Sequence, residues 1–139
     1  MTEPAWLDRD VVLAVHEEMI GRFGGLPGVR DEGLLESALH RPRHLFAYGR
    51  PSLFDLAAAY AHGIVKNHPF LDGNKRTGFM AAYIFLGANG HELQAPEEEA
   101  VVQTLALAAG SIGAAAYAAW LRSGCRLAAK ARSARRRRG

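Results

Sequence analysis

Apolar residues recur at helical spacing along nearly the whole chain, and no stretch of any length alternates apolar with polar as a half-buried strand would. Val11, Val12, Ala14, Val15, Met19, Ile20 and Phe23 form the first stripe. Asp8 is placed to cap it through its carboxylate, and Gly24-Gly25 to stop it. His16, Glu17 and Glu18 fall mostly on the wetter side, and without an HExxH pattern they read as a solvated face. The next eight residues, Gly24-Gly25-Leu26-Pro27-Gly28-Val29-Arg30-Asp31, hold three glycines and a proline, which predicts a turn or short extended flap. Asp31 can cap a second helix with the stripe Leu34, Leu35, Ala38 and Leu39. Pro42 is expected to limit that helix, because Arg41 before a proline is biased away from helical torsions. The break would take His40 and His44 off a shared face and leave both at the surface or rim.

Ser52-Leu53-Phe54-Asp55 matches a capping box with Asp in the Glu/Gln position. The segment it opens is apolar nearly all round (Leu56, Ala57, Ala58, Ala59, Tyr60, Ala61, Ile64, Val65), as only a central buried helix is. Pro69 stops it and leaves His68 at the turn. Residues 77–88 are again helical and mostly apolar, with Asn89-Gly90 as the stop. His91-Glu92-Leu93 is expected to be at most briefly extended. Pro96 suits the first position of another helix, where Glu97, Glu98 and Glu99 complement the dipole. Gly110-Ser111-Ile112-Gly113 reads as a break, with Ser111 capping a last helix that carries Tyr117, Trp120 and Leu121. The predicted fold class is all-α: one domain over residues 1–125, about six helices around a central helix–loop–helix, with a short Gly-rich flap.

Composition adds three constraints. At 139 residues and 49% hydrophobic, the chain can bury a core without staples. A single cysteine, Cys125, forms no internal disulfide, and residues 1–9 lack the pattern of a secretory signal; a cytoplasmic setting is expected. Residues 101–121 carry no charge, but Gln103, Thr104, Ser111 and the glycine break favour two short soluble helices over a membrane span of ~20 apolar residues. Charge is divided along the chain. Arg122, Arg126, Lys130, Arg132, Arg135, Arg136, Arg137 and Arg138 are eight of the 17 basic residues, and all 14 acidic residues precede them. Residues 126–139 thus form a basic tail, helical at most to Ala134, which reads as a solubilising or compositional extension, with weak non-specific attraction to nucleic acid or an acidic partner as the alternative.

Chemistry concentrates in His68-Pro69-Phe70-Leu71-Asp72-Gly73-Asn74-Lys75-Arg76, between the two most apolar segments. Buried junctions are expensive places for polar side chains. If a helix starts near Asn74, the amides of Gly73, Asn74, Lys75 and Arg76 lack intrahelical partners and suit an anion. Gly73 lets the backbone approach it, and Lys75 and Arg76 add charge. Asp72 can hold Mg²⁺ in company with phosphate oxygens. His68 suits general-base work at neutral pH. Phe70 reads as the anchor that packs the loop onto the core. Together these roles describe phosphoryl or nucleotidyl transfer.

Residues 68–76 satisfy every position of HxFx(D/E)(A/G)N(G/K)R, and the chain over residues 8–122 resembles the Fic/Doc family. Within that family, AMP-transferring members have Gly at the position of Lys75 and usually a second Arg at that of Phe79. Both departures point to the Doc branch, toxins of toxin–antitoxin pairs that phosphorylate translation elongation factor Tu. The resemblance implies ATP and Mg²⁺ as cofactors and His68 as base for a target Ser or Thr hydroxyl. It implies Asp72 as metal ligand, phosphate binding by Gly73, Asn74 and Lys75 through their amides, and by Arg76 through its side chain. Gly25, Leu26, Pro27, Gly28, Val29 and Arg30 would be the flap that aligns the target by backbone pairing. Glu97, Glu98 and Glu99 lack the Gly or Asn that completes the (S/T)xxxE(G/N) motif of self-inhibited members, so restraint would come from a separate antitoxin. The alternatives are a Fic-type nucleotidyl transferase and a non-enzymatic binding module on the same fold.

Overall fold

The computed structural model describes residues 2–127. In chain order the elements are α1 (Arg9–Phe23), α2 (Glu32–Tyr48), α3 (Leu53–Asn67), α4 (Asn74–Ala88), β1 (His91–Leu93), α5 (Glu97–Ala109), α6 (Ala114–Gly124) and β2 (Cys125–Leu127). The chain is mostly helical, and α3 is its axis. Leu56, Ala57, Ala58, Tyr60, Ala61 and Ile64 are all fully buried, because α2, α4 and α6 pack around it. Ser52 and Asp55 form the expected capping box, each side chain bonding the other residue's amide.

Small residues set how closely the helices approach. A Cβ on Gly63 would lie 3.2 Å from Cα and Cβ of Ala38, at the α2–α3 seam. One on Gly78 would lie 2.9 Å from Val65 Cγ1 and 3.2 Å from the Ala61 carbonyl oxygen, at the α3–α4 seam. Around this centre most polar atoms that enter the core find partners, although the buried Thr77 hydroxyl of α4 has none among the described residues. The Tyr60 hydroxyl accepts from the Leu7 amide (3.1 Å), and burial still pushes the phenol up. Thr104 and Tyr117 share a buried hydroxyl pair at 2.8 Å; burial pushes the Tyr117 phenol up to about 12, against the pull of that bond. The Trp120 indole N–H donates to Glu99 (2.6 Å), joining α6 to the first turn of α5.

Several local expectations are corrected. Asp8 stands at the N-cap of α1, but its side chain makes no cap bond. Pro42 does not end α2: the helix runs through it to Tyr48, with Leu35, Ala38 and Pro42 buried on one stripe. A proline inside a helix costs about 3 kcal/mol, which the packing of that stripe offsets. Pro96 is the N-cap of α5 rather than its first residue, and Gly113, not Ser111, precedes α6. The Ser111 amide instead closes α5 by donating to Ala106 (2.9 Å). Short strands do form: β1 and β2 pair antiparallel with Leu93 opposite Cys125, so Arg126 and Leu127 belong to a strand. The remainder of the basic tail lies outside the described residues. Among the described residues no helix is long and apolar enough to cross a membrane.

The glycine contacts predict opposite outcomes at two positions of α4. Gly78→Val should lower stability by about 1–3 kcal/mol, since its side chain has no room. Gly87→Ala, where a Cβ would meet nothing within 4 Å, should raise it by about 0.5–1 kcal/mol. Urea unfolding of the two variants beside the parent chain measures both.

Candidate functional site

The loop between α3 and α4 is shaped by its backbone first. His68 caps α3 in the left-handed region (φ 53°, ψ 52°), with its N–H bonded to the Ile64 carbonyl at 3.1 Å. A non-glycine residue there costs on the order of 1 kcal/mol, and the turn leaves the His68 side chain exposed at the end of a buried helix. Two residues on, the Phe70 ring is fully buried. Both main-chain groups of Phe70 are held by one side chain. Its N–H donates to Asn74 Oδ1 and its carbonyl accepts from Asn74 Nδ2, each at 3.0 Å. Asn74 is only 3% exposed, so its carboxamide shapes the loop and its amide stays in the first turn of α4.

The flap lies directly along this loop. Val29 and Phe70 form an antiparallel bridge, the Pro69 carbonyl accepts from the amides of Arg30 (2.7 Å) and Asp31 (3.1 Å), and the Leu71 amide donates to Gly28 (3.1 Å). The Arg30 guanidinium adds bonds to the carbonyls of His68 (2.8 Å) and Asn67 (3.0 Å). Asp72 closes the other end: its Oδ2 accepts from the Leu26 amide at 2.7 Å. Gly25 (φ 114°) makes this approach feasible, since a Cβ there would sit 2.9 Å from that of Asp72. Asp31 caps α2 as expected, its Oδ1 accepting from the Leu34 amide at 2.9 Å.

The N-cap of α4 is Gly73, with φ 76° and no side-chain cap bond. The amides of Gly73, Asn74, Lys75 and Arg76 are therefore the unpaired donors of a helix N-terminus, and neither Asp72 nor Asn74 consumes them by capping. Lys75 and Arg76 are exposed, and the Arg76 guanidinium lies over the Phe23 ring, 4.1 Å from its centroid. The structure thus brings His68, Asp72, Gly73, Lys75 and Arg76 to one loop and one helix end, with residues 25–30 against them. Phe79 lies one turn further along the Lys75–Arg76 face of α4, its ring against Tyr83 and Trp120 with each centroid 6.3 Å away.

One residue of this neighbourhood departs from its expected place. His16 is 4% exposed rather than solvated. Its ring stacks on Phe70 with centroids 3.8 Å apart and planes 8° from parallel, and its Nε2 lies 2.8 Å from the Asp72 carbonyl oxygen. A signal existed, since His16 follows Val12 by four residues and precedes Met19 by three, on the buried stripe of α1. His40 and His44 remain exposed, yet the unbroken α2 puts both on one side, lining a cavity of about 310 Å³ with Ser37, Arg41 and Asn67. Among the described residues no group of three or more His, Cys, Asp or Glu is placed to hold a metal by itself.

The family model of the Fic/DOC family matches residues 6–86, which include the flap and the whole loop. Toxin Doc of Mycolicibacterium smegmatis is 45% identical over 98 residues, 68% of this chain and 71% of that protein. Protein kinase doc of Escherichia phage P1 is 36% identical over 112 residues, 80% of this chain and 88% of that protein. On the motif, the flap and these matches together, the chain belongs to the Fic/Doc family.

Proposed function

We propose that this chain is a Doc-type toxin that works as a protein kinase, moving the γ-phosphate of ATP to a Ser or Thr hydroxyl of translation elongation factor Tu. Relatives named Toxin Doc and Protein kinase doc support the toxin and the kinase, and a toxin implies an antitoxin as partner. The observation that carries kinase over nucleotidyl transfer is the pair Lys75 and Phe79. With its ring packed against Trp120 and Tyr83, Phe79 supplies no cation to a second phosphate, and Lys75 crowds the helix end where AMP-transferring relatives have Gly. The nucleotide then enters reversed, with its γ-phosphate toward the acceptor.

In this reading the exposed His68 takes the proton of the target hydroxyl as its oxygen attacks the γ-phosphorus. The bond to the β-phosphate oxygen breaks, and ADP leaves. The amides of Gly73, Asn74 and Lys75 and the Arg76 side chain hold the phosphates, where fixed donors stabilise developing charge. Asp72 fits Mg²⁺: one carboxylate oxygen is bonded to Leu26, the other carries no bond among the described residues, and phosphate oxygens complete the donor set this ion takes. Bound there, Mg²⁺ supplies neutralisation of phosphate charge. The outer side of the flap, Gly25, Leu26, Pro27 and Gly28, is exposed and suits a target segment lying along it, with Val29 and Arg30 fixed to the loop.

Incubation with γ-labelled or α-labelled ATP and a bacterial lysate should place γ-label on elongation factor Tu. Label arriving from the α-position instead would support an AMP transferase. His68→Ala should reduce transfer by about 10²–10⁴-fold and relieve growth arrest on expression, with unfolding unchanged. Arrest relieved only by deleting the chain after Arg126 would favour a binding module. Because His68 holds a left-handed turn, His68→Gly should be about 1 kcal/mol more stable than His68→Ala in chemical unfolding, and equally inactive.

A further inference from the structure

Asp72 and Gly73 share one peptide plane, and His16 holds one side of it. A carbonyl oxygen can only accept, so His16 Nε2 carries the proton of the 2.8 Å bond to Asp72. In a planar trans peptide the C=O and the following N–H point in opposite directions. Anchoring the Asp72 carbonyl on α1 therefore turns the Gly73 N–H away from α1. That N–H makes no hydrogen bond among the described residues, and it is the first of the four free donors at the start of α4. Gly73 itself could swing easily, having no Cβ and a φ of 76°. Something other than its own torsional preference must fix the plane.

The ring of His16 is well fixed to do so. It lies face to face with the fully buried Phe70, whose own main chain is clamped by Asn74. A Cβ on Gly73 would sit 3.6 Å from His16 Nε2 and Cδ2 and 3.2 Å from Ile20 Cδ1, so α1 approaches the peptide closely. Two helical turns beyond His16, Phe23 of the same helix carries the Arg76 guanidinium.

We infer that His16 is a positioning residue for phosphate binding: its Nε2–H aims the Gly73 amide at the anion. Its proton goes to no reacting atom, and its exclusion from solvent is what makes the bond firm. The inference rests on Gly73 belonging to the phosphate cradle, as proposed above.

The test uses the full chain, weakly aligned in solution, and the residual dipolar coupling of the Gly73 N–H without nucleotide. His16→Phe keeps a ring to stack on Phe70 and removes the donor; His16→Gln restores a donor near the place of Nε2. In His16→Phe the Gly73 coupling should shrink toward zero while couplings in α3 stay at parent values. Calorimetric ATP affinity should fall about tenfold, the worth of one well-placed hydrogen bond. His16→Gln should recover most of both. A His16→Phe chain with parent coupling and parent affinity would overturn the inference, as would equal loss in both folded variants, which would assign the effect to ring packing. The parent chain gives a check that needs no variant. A scalar coupling across the bond from His16 Nε2 to the Asp72 carbonyl carbon is expected, and its absence would be fatal. The dipolar and scalar couplings are read without nucleotide, so they fail or succeed independently of which phosphate is transferred.

Discussion

One buried carboxamide holds this site together. Asn74 donates to and accepts from the same residue, Phe70, and so satisfies both main-chain groups of a loop that the core encloses. Removing that side chain would leave two buried backbone groups unpaired, each costing roughly 1–3 kcal/mol. From the clamped Phe70 every other arrangement radiates. Its ring meets His16 of α1, its strand-like backbone meets Val29 of the flap, and the neighbouring Pro69 carbonyl receives Arg30 and Asp31. The flap, the loop and α1 are three surfaces of one hydrogen-bonded unit.

That unit sits where two buried helices expose their ends. α3 contributes its C-terminus, and the left-handed turn at His68 carries the imidazole outward from a helix buried over residues 56–61 and 63–65. α4 contributes its N-terminus, with an uncapped Gly73 and two exposed cations. An exposed imidazole and a helix N-terminus are thereby put on one loop by the chain reversal itself. Phe79 follows Lys75 by four residues and Arg76 by three, so its ring, packed on Tyr83 and Trp120, lies one turn along the same face of α4.

Much of this was legible in the sequence because the patterns involved are local. The capping box at Ser52, the all-round apolar α3 and the glycine stops follow from short-range rules, as does the cluster from His68 to Arg76. What failed were judgements that tertiary contacts override. Pro42 stays in α2 because a buried stripe outweighs one missing hydrogen bond. Ser111 loses the cap because its amide is drawn back to Ala106. β1 and β2 are three residues each, too short to show alternation, and exist because two chain segments meet. His16 was assigned to solvent by residue type although its spacing belonged to the buried stripe; the partner that makes burial tolerable, the Asp72 carbonyl, lies 56 residues away in sequence.

Those separations govern when the site can come into being. The flap emerges from synthesis well before the loop it lies along, and the Leu26–Asp72 bond spans 46 residues. A nascent chain that ends before α4 has neither Asn74 to clamp Phe70 nor a helix end to accept an anion. Loop-closure entropy opposes each such contact singly, so they form together once α3 and α4 dock. Assembly of the site therefore waits on the contact between α3 and α4, and no shorter product of synthesis carries the loop in its final shape.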